Sequence, residues 1–154
     1  MAELEGRLEA TGRVALVVSR YHERLTRRLA EGARQACRAA GVADADVDTC
    51  WVAGAFELGV TCTALARSGA YSTIVALGIV IRGETPHFDF VAGEAARALS
   101  AAAAETLVPI GFGLLTTDDL AQAEARSGGA AGNKGAEAAE AALRTASLLA
   151  QVRR

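Results

Sequence analysis

The sequence predicts an α/β fold in three layers, with helices flanking a parallel sheet. Residues 75–81 (VALGIVI) are apolar and largely β-branched without alternation, which is typical of a strand covered on both faces. Strand-like and helix-like segments alternate along the chain, and this alternation predicts parallel strands joined by helices. The 154 residues fit one domain over positions 1–154, and 51% of them are hydrophobic, which is enough for a well-buried core.

Four segments have the composition of strands. They cover residues 13–19, 47–52, 73–81 and 109–115. Each is rich in apolar or β-branched residues, which favour extended backbone in a sheet. No repeat and no linker interrupts them, so one sheet is expected to contain all four.

Five helices are predicted between and after these strands. They cover residues 22–40, 57–68, 85–106, a short segment ending near residue 126 and a closing segment ending near residue 152. Gly41 is expected to end the first helix. Thr85 is the predicted cap of the third, with Pro86 at its first helical position. Residues 116–118 (TTD) offer caps for the short helix, and Asn133 is the predicted cap of the last.

Charge and hydropathy exclude two classes of partner. The formal net charge is -2 with a pI of about 5.7, and the basic residues are scattered, so no nucleic-acid partner is expected. No apolar run approaches the ~20 residues that span a bilayer. The first twenty residues lack a basic start followed by a long apolar core, which argues against a signal peptide. A cytoplasmic protein without a membrane partner is therefore expected.

The three cysteines are Cys37, Cys50 and Cys62. Their number is odd, no CxxC spacing occurs, and each lies in an apolar or alanine-rich context. Buried free thiols are therefore expected rather than disulfides or a metal site.

The segment RGETPH directly follows the most apolar strand and carries the first candidate site. Arg82, the N–H groups near Gly83 and Glu84, and the Thr85 hydroxyl are expected to hold a phosphate at a helix start. His87 is the candidate proton-transfer group. Loops beyond the carboxyl ends of parallel strands are where α/β proteins bind ligands. The alternative is that the loop only turns the chain and that the histidine is structural.

Aromatic residues make up only 5% of the chain, and the ring-bearing side chains are unevenly placed along it. The histidines and phenylalanines fall in or beside segments at predicted carboxyl ends of strands: His22, His87, Phe56, Phe88, Phe90 and Phe112. This placement predicts stacking on a flat heterocycle, with helix packing as the alternative that is favoured for Phe90. Glu57, beside a glycine turn, can accept hydrogen bonds from polyol hydroxyls or ring N–H groups.

Four motifs together carry a family resemblance. They are GAFEL at residues 54–58, VALGIVIRGETPHFDFVAGEAA at 75–96, GFGLLTTD at 111–118 and AGNKGAEAA at 131–139. In this order, and over nearly the whole chain, they resemble the 6,7-dimethyl-8-ribityllumazine synthases, which catalyse the penultimate step of riboflavin biosynthesis. RGETPHFDFV is the most specific of the motifs, whereas GAFE alone would be weak.

The resemblance implies a flavodoxin-like fold and a transferase reaction. In that reaction the 5-amino group of 5-amino-6-ribitylaminouracil condenses with the ketone of 3,4-dihydroxy-2-butanone 4-phosphate. A Schiff base forms, phosphate is eliminated, and the ring closes with loss of water. The family uses no metal and no redox cofactor.

The resemblance also implies roles in the phosphate half of the site. His87 matches the histidine that assists imine formation and phosphate elimination. Arg126 matches the arginine that holds the substrate phosphate. Gly83, the Glu84 backbone and Thr85 would bind the same anion. For Arg126, the alternative is a helix-end cation that opposes the helix dipole.

For the pyrimidine half, the resemblance implies contacts from two segments. Ala55, Phe56 and Glu57 match residues that contact the pyrimidine and its ribityl chain. Val80 and Ile81 would supply backbone contacts to the ring.

The expected assembly is a homo-oligomer. The family forms pentamers, many members build sixty-subunit icosahedral shells from them, and riboflavin synthase is the implied protein partner. His87, Tyr21 and Glu57 would belong to one subunit, and Phe112, Arg126 and Lys134 to the next. For Lys134, a solvated helix start is the alternative.

Three departures from the family pattern bear on affinity. Tyr21 stands where phenylalanine or tryptophan usually stacks on the pyrimidine. Ala53 and Gly59 replace prolines that flank GAFEL, which is expected to loosen that loop. Gly129 and Ala130 replace a Thr-Lys pair and remove a charge near the phosphate arginine.

Two other functions stay open at this point. One is a catalytically weak shell protein that binds flavin or lumazine, against which the retained His87, Arg126 and Lys134 argue. The other is a phosphate sensor or scaffold, but residues 19–22 (SRYH) contain no glycine and so form no phosphate loop. Turnover without tight product retention would distinguish an enzyme from a carrier.

Overall fold

The computed structural model describes residues 1–153, in which four parallel strands form the central sheet. They are β1 (Val14–Ser19), β2 (Val47–Val52), β3 (Thr73–Ile81) and β4 (Ile110–Thr117), in the spatial order β2-β1-β3-β4. This is the flavodoxin-like order, and the order reverses between β1 and β3. The four predicted strands are confirmed, and β4 extends two residues beyond its predicted end.

Helices cover both faces of this sheet. They are α1 (Glu23–Ala39), α2 (Leu58–Arg67), α3 (His87–Thr106), α4 (Leu120–Arg126) and α5 (Lys134–Val152). Short 3₁₀ turns at Asp44–Asp46 and Ala55–Glu57 precede β2 and α2. A two-stranded antiparallel pair, β5 (Ser127–Gly129) and β6 (Gly132–Asn133), was not predicted.

The burial of β1 explains why apolar and polar residues do not alternate in its sequence. Its six residues are all buried. Val14, Leu16 and Val18 pack toward α1 and α5, while Ala15 and Val17 pack toward α2 and α3. Because both faces are covered, both sets of side chains must be apolar.

The strand pairing leaves one side of the carboxyl end of β3 without a neighbouring strand. Pairing of β1 with β3 ends at Val18 and Leu77, whereas pairing of β3 with β4 continues to Ile81 and Thr117. Residues 78–81 therefore have a strand neighbour on the β4 side only. Their β1 side faces the point where the strand order reverses, which is where ligands bind in folds of this type.

Two of the predicted helix ends are confirmed. Gly41 follows α1 with a φ of 85°, a left-handed conformation that favours glycine. The Asn133 side chain accepts a hydrogen bond from the Ala136 N–H at 3.1 Å and caps α5.

Two other predicted caps are wrong. Asp119 caps α4, accepting from the Gln122 N–H at 2.8 Å, because β4 continues through Thr117 and moves the helix start along the chain. In α3 the cap position is Pro86 rather than Thr85, and no side chain caps this helix. The Pro86 carbonyl instead accepts from the Asp89 N–H at 3.0 Å and closes the first turn.

The prediction of buried free thiols is confirmed for two of the three cysteines. All three are free; Cys37 and Cys62 are buried and Cys50 is half-buried. Burial raises the pKa of Cys37 to about 11 and that of Cys62 to about 12.

Within residues 1–153 no cluster of three His, Cys, Asp or Glu could hold a metal ion, and no helix there is long and apolar enough to cross a membrane.

Candidate active site

A cavity of about 810 Å³ lies where β1 and β3 end, at the reversal of strand order. We refer to it as the first cleft. Its wall consists of Tyr21, Gly54, Ala55, Phe56, Glu57, Ile79, Val80, Ile81, Gly83, Thr85, His87, Phe88, Phe90, Val91 and Glu94. The loop after β1, the turn after β2, the end of β3 and the start of α3 therefore meet here. All five residues predicted for the pyrimidine half, and Tyr21, share this one cavity.

Aromatic rings flank the first cleft while remaining accessible. Tyr21 is 68% exposed and Phe56 is 63% exposed. The backbone N–H of Tyr21 donates to the Ala53 carbonyl at 3.2 Å, and that of Arg20 donates to the Val52 carbonyl at 2.8 Å. These bonds hold the loop after β1 against the loop after β2. Two large rings thus stand at the cleft without a packing partner that covers them, as stacking on a heterocycle requires.

His22 supports Tyr21 rather than lining the cleft. The two ring centres lie 4.7 Å apart with an interplanar angle of 77°, an edge-to-face contact. His22 has a left-handed backbone with φ of 61° and ψ of 43°, and its carbonyl accepts from the N–H groups of Leu25 and Thr26. Burial lowers the pKa of the His22 imidazole. This histidine therefore begins α1 as a neutral side chain near pH 7.

The end of β3 contributes backbone groups to the first cleft. Val80 and Ile81 line it and are half-buried. Their only strand neighbours are Thr116 and Thr117 of β4. The peptide groups directed toward β1 consequently have no strand partner, and such groups need hydrogen bonds from another source. A planar ring with N–H and C=O edges can supply them.

The start of α3 carries the candidate proton-transfer group. His87 is the first residue of the helix, is exposed and lines the first cleft beside Thr85. Phe90 also lines the cleft and is 70% exposed, so the prediction that it packs within the fold is wrong. The buried face of α3 consists of Ala95, Leu99 and Ala102, and Phe90 lies away from that face.

Arg82 does not line the first cleft. Its Nε atom lies 3.2 Å from Asp118 Oδ1, and its Nη1 atom lies 3.7 Å from Asp89 Oδ1. Its guanidinium carbon lies 4.4 Å from the centre of the Phe88 ring. Two carboxylates thus engage the guanidinium outside the first cleft, and a phosphate-holding role for Arg82 stays a prediction.

A second cavity, of about 530 Å³, lies along the open edge of β4, and we refer to it as the second cleft. Its wall consists of Phe112, Leu114, Leu115, Thr116, Thr117, Arg126, Lys134, Glu137, Ala138 and Ala141. Three of the predicted residues meet here: Phe112, Arg126 and Lys134. Phe112 is 52% exposed and lies in the first half of β4, not at its carboxyl end as predicted.

The two cations of the second cleft already have internal partners. Arg126 Nη1 donates to the Gln122 carbonyl at 3.1 Å, the contact of a helix-end cation. Lys134 Nζ lies 3.0 Å from Glu137 Oε2, an exposed i,i+3 ion pair that contributes little to stability. Both side chains nevertheless line the cavity, and the Glu137 carboxylate lines it beside them.

The first and second clefts share no residue. The set predicted to bind one phosphate is therefore divided within the chain, with Gly83 and Thr85 in the first cleft and Arg126 in the second. Glu84 is exposed and lines neither.

Several lining residues were not predicted. Glu94 lies seven residues after His87, a spacing that repeats on one helix face and could have identified it. Gly54 lies inside the recognised GAFEL motif. Glu137 lies three residues after Lys134, the spacing of a helical ion pair. Ile79 and Val91 are apolar and gave no signal beyond that of core residues.

Comparison of the sequence with known proteins shows the family of the chain. A sequence profile of the 6,7-dimethyl-8-ribityllumazine synthases matches residues 11–150. A curated 6,7-dimethyl-8-ribityllumazine synthase from Gemmatimonas aurantiaca is 52% identical over 149 residues, which cover 96% of this chain and 91% of the relative. The chain belongs to the 6,7-dimethyl-8-ribityllumazine synthase family.

Proposed function

We propose that this protein condenses 5-amino-6-ribitylaminouracil with 3,4-dihydroxy-2-butanone 4-phosphate. The products are 6,7-dimethyl-8-ribityllumazine, phosphate and water, and the reaction is the penultimate step of riboflavin biosynthesis. The observation that carries the proposal is the first cleft, in which accessible rings, unpaired strand backbone and His87 surround one cavity in a member of this family.

The aminopyrimidine would bind in the first cleft. Its ring would stack on Tyr21 or Phe56, and its polar edge would pair with the backbone of Val80 and Ile81. Glu57 would accept hydrogen bonds from the ribityl hydroxyls, since a carboxylate is an acceptor only. Each of these groups lines the same cavity, which supports a joint role.

The phosphate would bind the cations of the second cleft. Arg126 offers a planar fork that matches phosphate oxygens, and Lys134 adds a point charge. Gly83 and Thr85 would approach the same anion from the first cleft of another subunit. The division of the site between two cavities supports this arrangement, because neither cavity alone contains both His87 and Arg126.

We therefore include a homo-oligomer in the proposal. The first cleft of one subunit would face the second cleft of the next, and repetition of this contact closes a ring, here a pentamer. The open edge of β4 supports such a contact, since an unpaired edge invites another chain. Pentamers would in turn assemble into an icosahedral shell in the cytoplasm, with riboflavin synthase as a partner. Each subunit would be one domain over residues 1–154.

His87 would move protons during the condensation. The 5-amino nitrogen attacks the ketone carbon, the carbinolamine loses water, and an imine forms. Loss of a proton from the neighbouring carbon then allows the C–O bond to phosphate to break. Elimination leaves an enol, which takes up a proton at the carbon that carried the phosphate and becomes a ketone. The ribitylamino nitrogen attacks this ketone, and a second water leaves as the ring closes. A histidine suits the proton transfers because its ordinary pKa lies near neutrality.

The direct test mixes the purified protein with both substrates and follows lumazine absorbance above the uncatalysed background. The proposal expects a rate that is proportional to protein concentration and a release of one phosphate per lumazine. A rate equal to background would overturn it. Tight lumazine binding in equilibrium dialysis, with no turnover, would instead identify a binding shell of the same fold.

A further inference from the structure

The Arg82 side chain joins three segments that are far apart in sequence. It follows the last residue of β3, contacts Phe88 and Asp89 in the first turn of α3, and contacts Asp118 in the loop between β4 and α4. Its Nε to Asp118 Oδ1 distance is 3.2 Å. One guanidinium can serve all three contacts because it is planar, with donors around its edge and a face that stacks on a ring.

The partner on the β4 side is held firmly. The Arg82 N–H donates to the Thr117 carbonyl at 2.8 Å, and the Thr117 hydroxyl donates to the Asp119 carbonyl at 3.0 Å. The Asp118 N–H donates to Gln122 Oε1 at 2.8 Å. The backbone of the loop that presents the Asp118 carboxylate is thus tied to β4 and to α4, while the carboxylate itself is exposed.

The start of α3, by contrast, has few other attachments. No side chain caps the helix. Among the described residues, no side-chain hydrogen bond involves positions 83–87. The contacts of Arg82 with Phe88 and Asp89 are therefore the polar side-chain contacts that hold the first turn. That turn begins with His87, and Phe88 itself lines the first cleft.

We infer that Arg82 is a positioning residue, which holds His87 at the first cleft by linking the first turn of α3 to the β4–α4 loop. It acts through Phe88 and Asp89 and touches no substrate. The catalytic part of this inference rests on the proposed function. The contact of Arg82 with Asp118 also connects the two clefts within one chain. Asp118 lies between Thr117 and Arg126, and both of these residues line the second cleft.

The kinetic test compares Arg82→Met and Arg82→Lys with the unmodified protein. Misplacement of a reacting group by about 1 Å can cost ~10²-fold, so we expect kcat to fall about 10- to 100-fold in Arg82→Met. The KM for the aminopyrimidine should stay within about twofold, because that substrate contacts other residues. Lysine retains the charge without the planar fork and should restore only part of kcat.

A matched control is available at the other end of α3. Arg67 Nη2 lies 3.2 Å from Glu105 Oε2, an exposed ion pair that joins α2 to the last turn of α3. Arg67→Met should leave kcat unchanged. An equal loss of kcat in Arg67→Met and Arg82→Met would overturn the inference, because it would show that any ion pair on α3 has this effect.

A double-mutant cycle tests whether Arg82 acts through His87. In a His87→Ala background, Arg82→Met should change the remaining rate by less than about twofold, since residues that act as one unit are not additive. A full additive loss would overturn the inference, as would a selective rise in the KM for the butanone phosphate, which would mark Arg82 as a phosphate ligand.

Hydrogen–deuterium exchange provides a readout that does not depend on turnover. Arg82→Met should speed exchange at the amides of residues 89–94 and leave those near residue 105 unchanged, because a helix end with fewer contacts frays more easily. Arg67→Met should not affect residues 89–94. If the protein lacked lumazine synthesis altogether, the proposed function would fail while this measurement still decided the positioning role. Unchanged exchange in Arg82→Met would overturn it.

Discussion

Gly59 of α2 faces Ala98 of α3 so closely that a Cβ at position 59 would lie 2.6 Å from the Ala98 Cβ. Gly59 is buried and is the second residue of α2, so it does not belong to a loop. The prediction that glycine in place of proline loosens the GAFEL loop is therefore wrong for this position. The absence of a side chain here allows α2 and α3 to approach each other.

Gly59→Ala should destabilise the protein. Overpacking costs about 1–3 kcal/mol, and the better helix propensity of alanine returns about 1 kcal/mol, so a net loss of up to about 2 kcal/mol is expected. Gly93, in the same helix pair but with open space where its Cβ would lie, is the matched control. Gly93→Ala should stabilise by ~0.5–1 kcal/mol. Urea unfolding at one fixed protomer concentration measures both, and stabilisation by Gly59→Ala would contradict the packing argument.

His22→Asn should change how stability depends on pH. Burial lowers the pKa of His22 in the folded protein, so the unfolded chain binds more protons between the folded pKa and the ordinary value of about 6.5. The contribution of His22 is thus fully present above about pH 6.5 and is lost as the pH falls through the lowered folded pKa. Asparagine tolerates the left-handed backbone and does not titrate.

The pH prediction is checked by unfolding midpoints in urea at about pH 7.5 and about pH 5.5. The difference between the two should be larger for the unmodified protein than for His22→Asn. The lowered pKa values of Glu23 and Asp48 act at lower pH and are present in both proteins. Equal differences would remove His22 as the source of the pH dependence.

His87→Ala should lower turnover more than substrate binding. A positioned general acid or base contributes ~10²–10⁴-fold to a chemical step, and kcat should fall within that range. Some activity should persist because amines and ketones condense unaided. His87→Gln, which keeps a polar side chain but carries no titratable proton, should lose as much as alanine. An unchanged kcat in steady-state assays, together with an unchanged single-turnover rate constant, would remove His87 from the mechanism.

Arg126→Ala should raise the KM for the butanone phosphate far more than that for the aminopyrimidine, because only the former carries the charge that Arg126 would hold. Loss of a charged hydrogen bond of ~1.5–3 kcal/mol corresponds to a rise of about 10- to 100-fold. Inorganic phosphate should compete with this substrate in the unmodified protein. Similar increases for both substrates would indicate that Arg126 serves only as the helix-end cation of α4.

Mixed oligomers of His87→Ala and Arg126→Ala chains should recover activity. If the first cleft of one subunit meets the second cleft of the next, about a quarter of randomly formed interfaces join an intact His87 to an intact Arg126. Neither variant should regain activity when refolded alone. Subunit exchange is verified by mass, and exchanged oligomers that remain inactive would show that the site lies within one chain.

The strands and most helices of this fold could be predicted from sequence because their signals are local. Residues 73–81 form a strand as predicted, since burial on both faces requires an unbroken apolar run. Asn133 caps α5 through a contact three residues along the chain. The RGETPH segment was also placed correctly at the end of β3, and His87 reaches the first cleft.

Side-chain direction depended on contacts between distant parts of the chain. Arg82 lies 36 positions from Asp118, and no local pattern indicates that this carboxylate turns the guanidinium away from the cleft. Phe90 is exposed because other residues of α3 form its buried face. Sequence by itself determined the order of elements and pointed to the candidate reactive groups. Only the tertiary structure decided their division between two clefts, because strand register and helix packing set which side chains share a cavity.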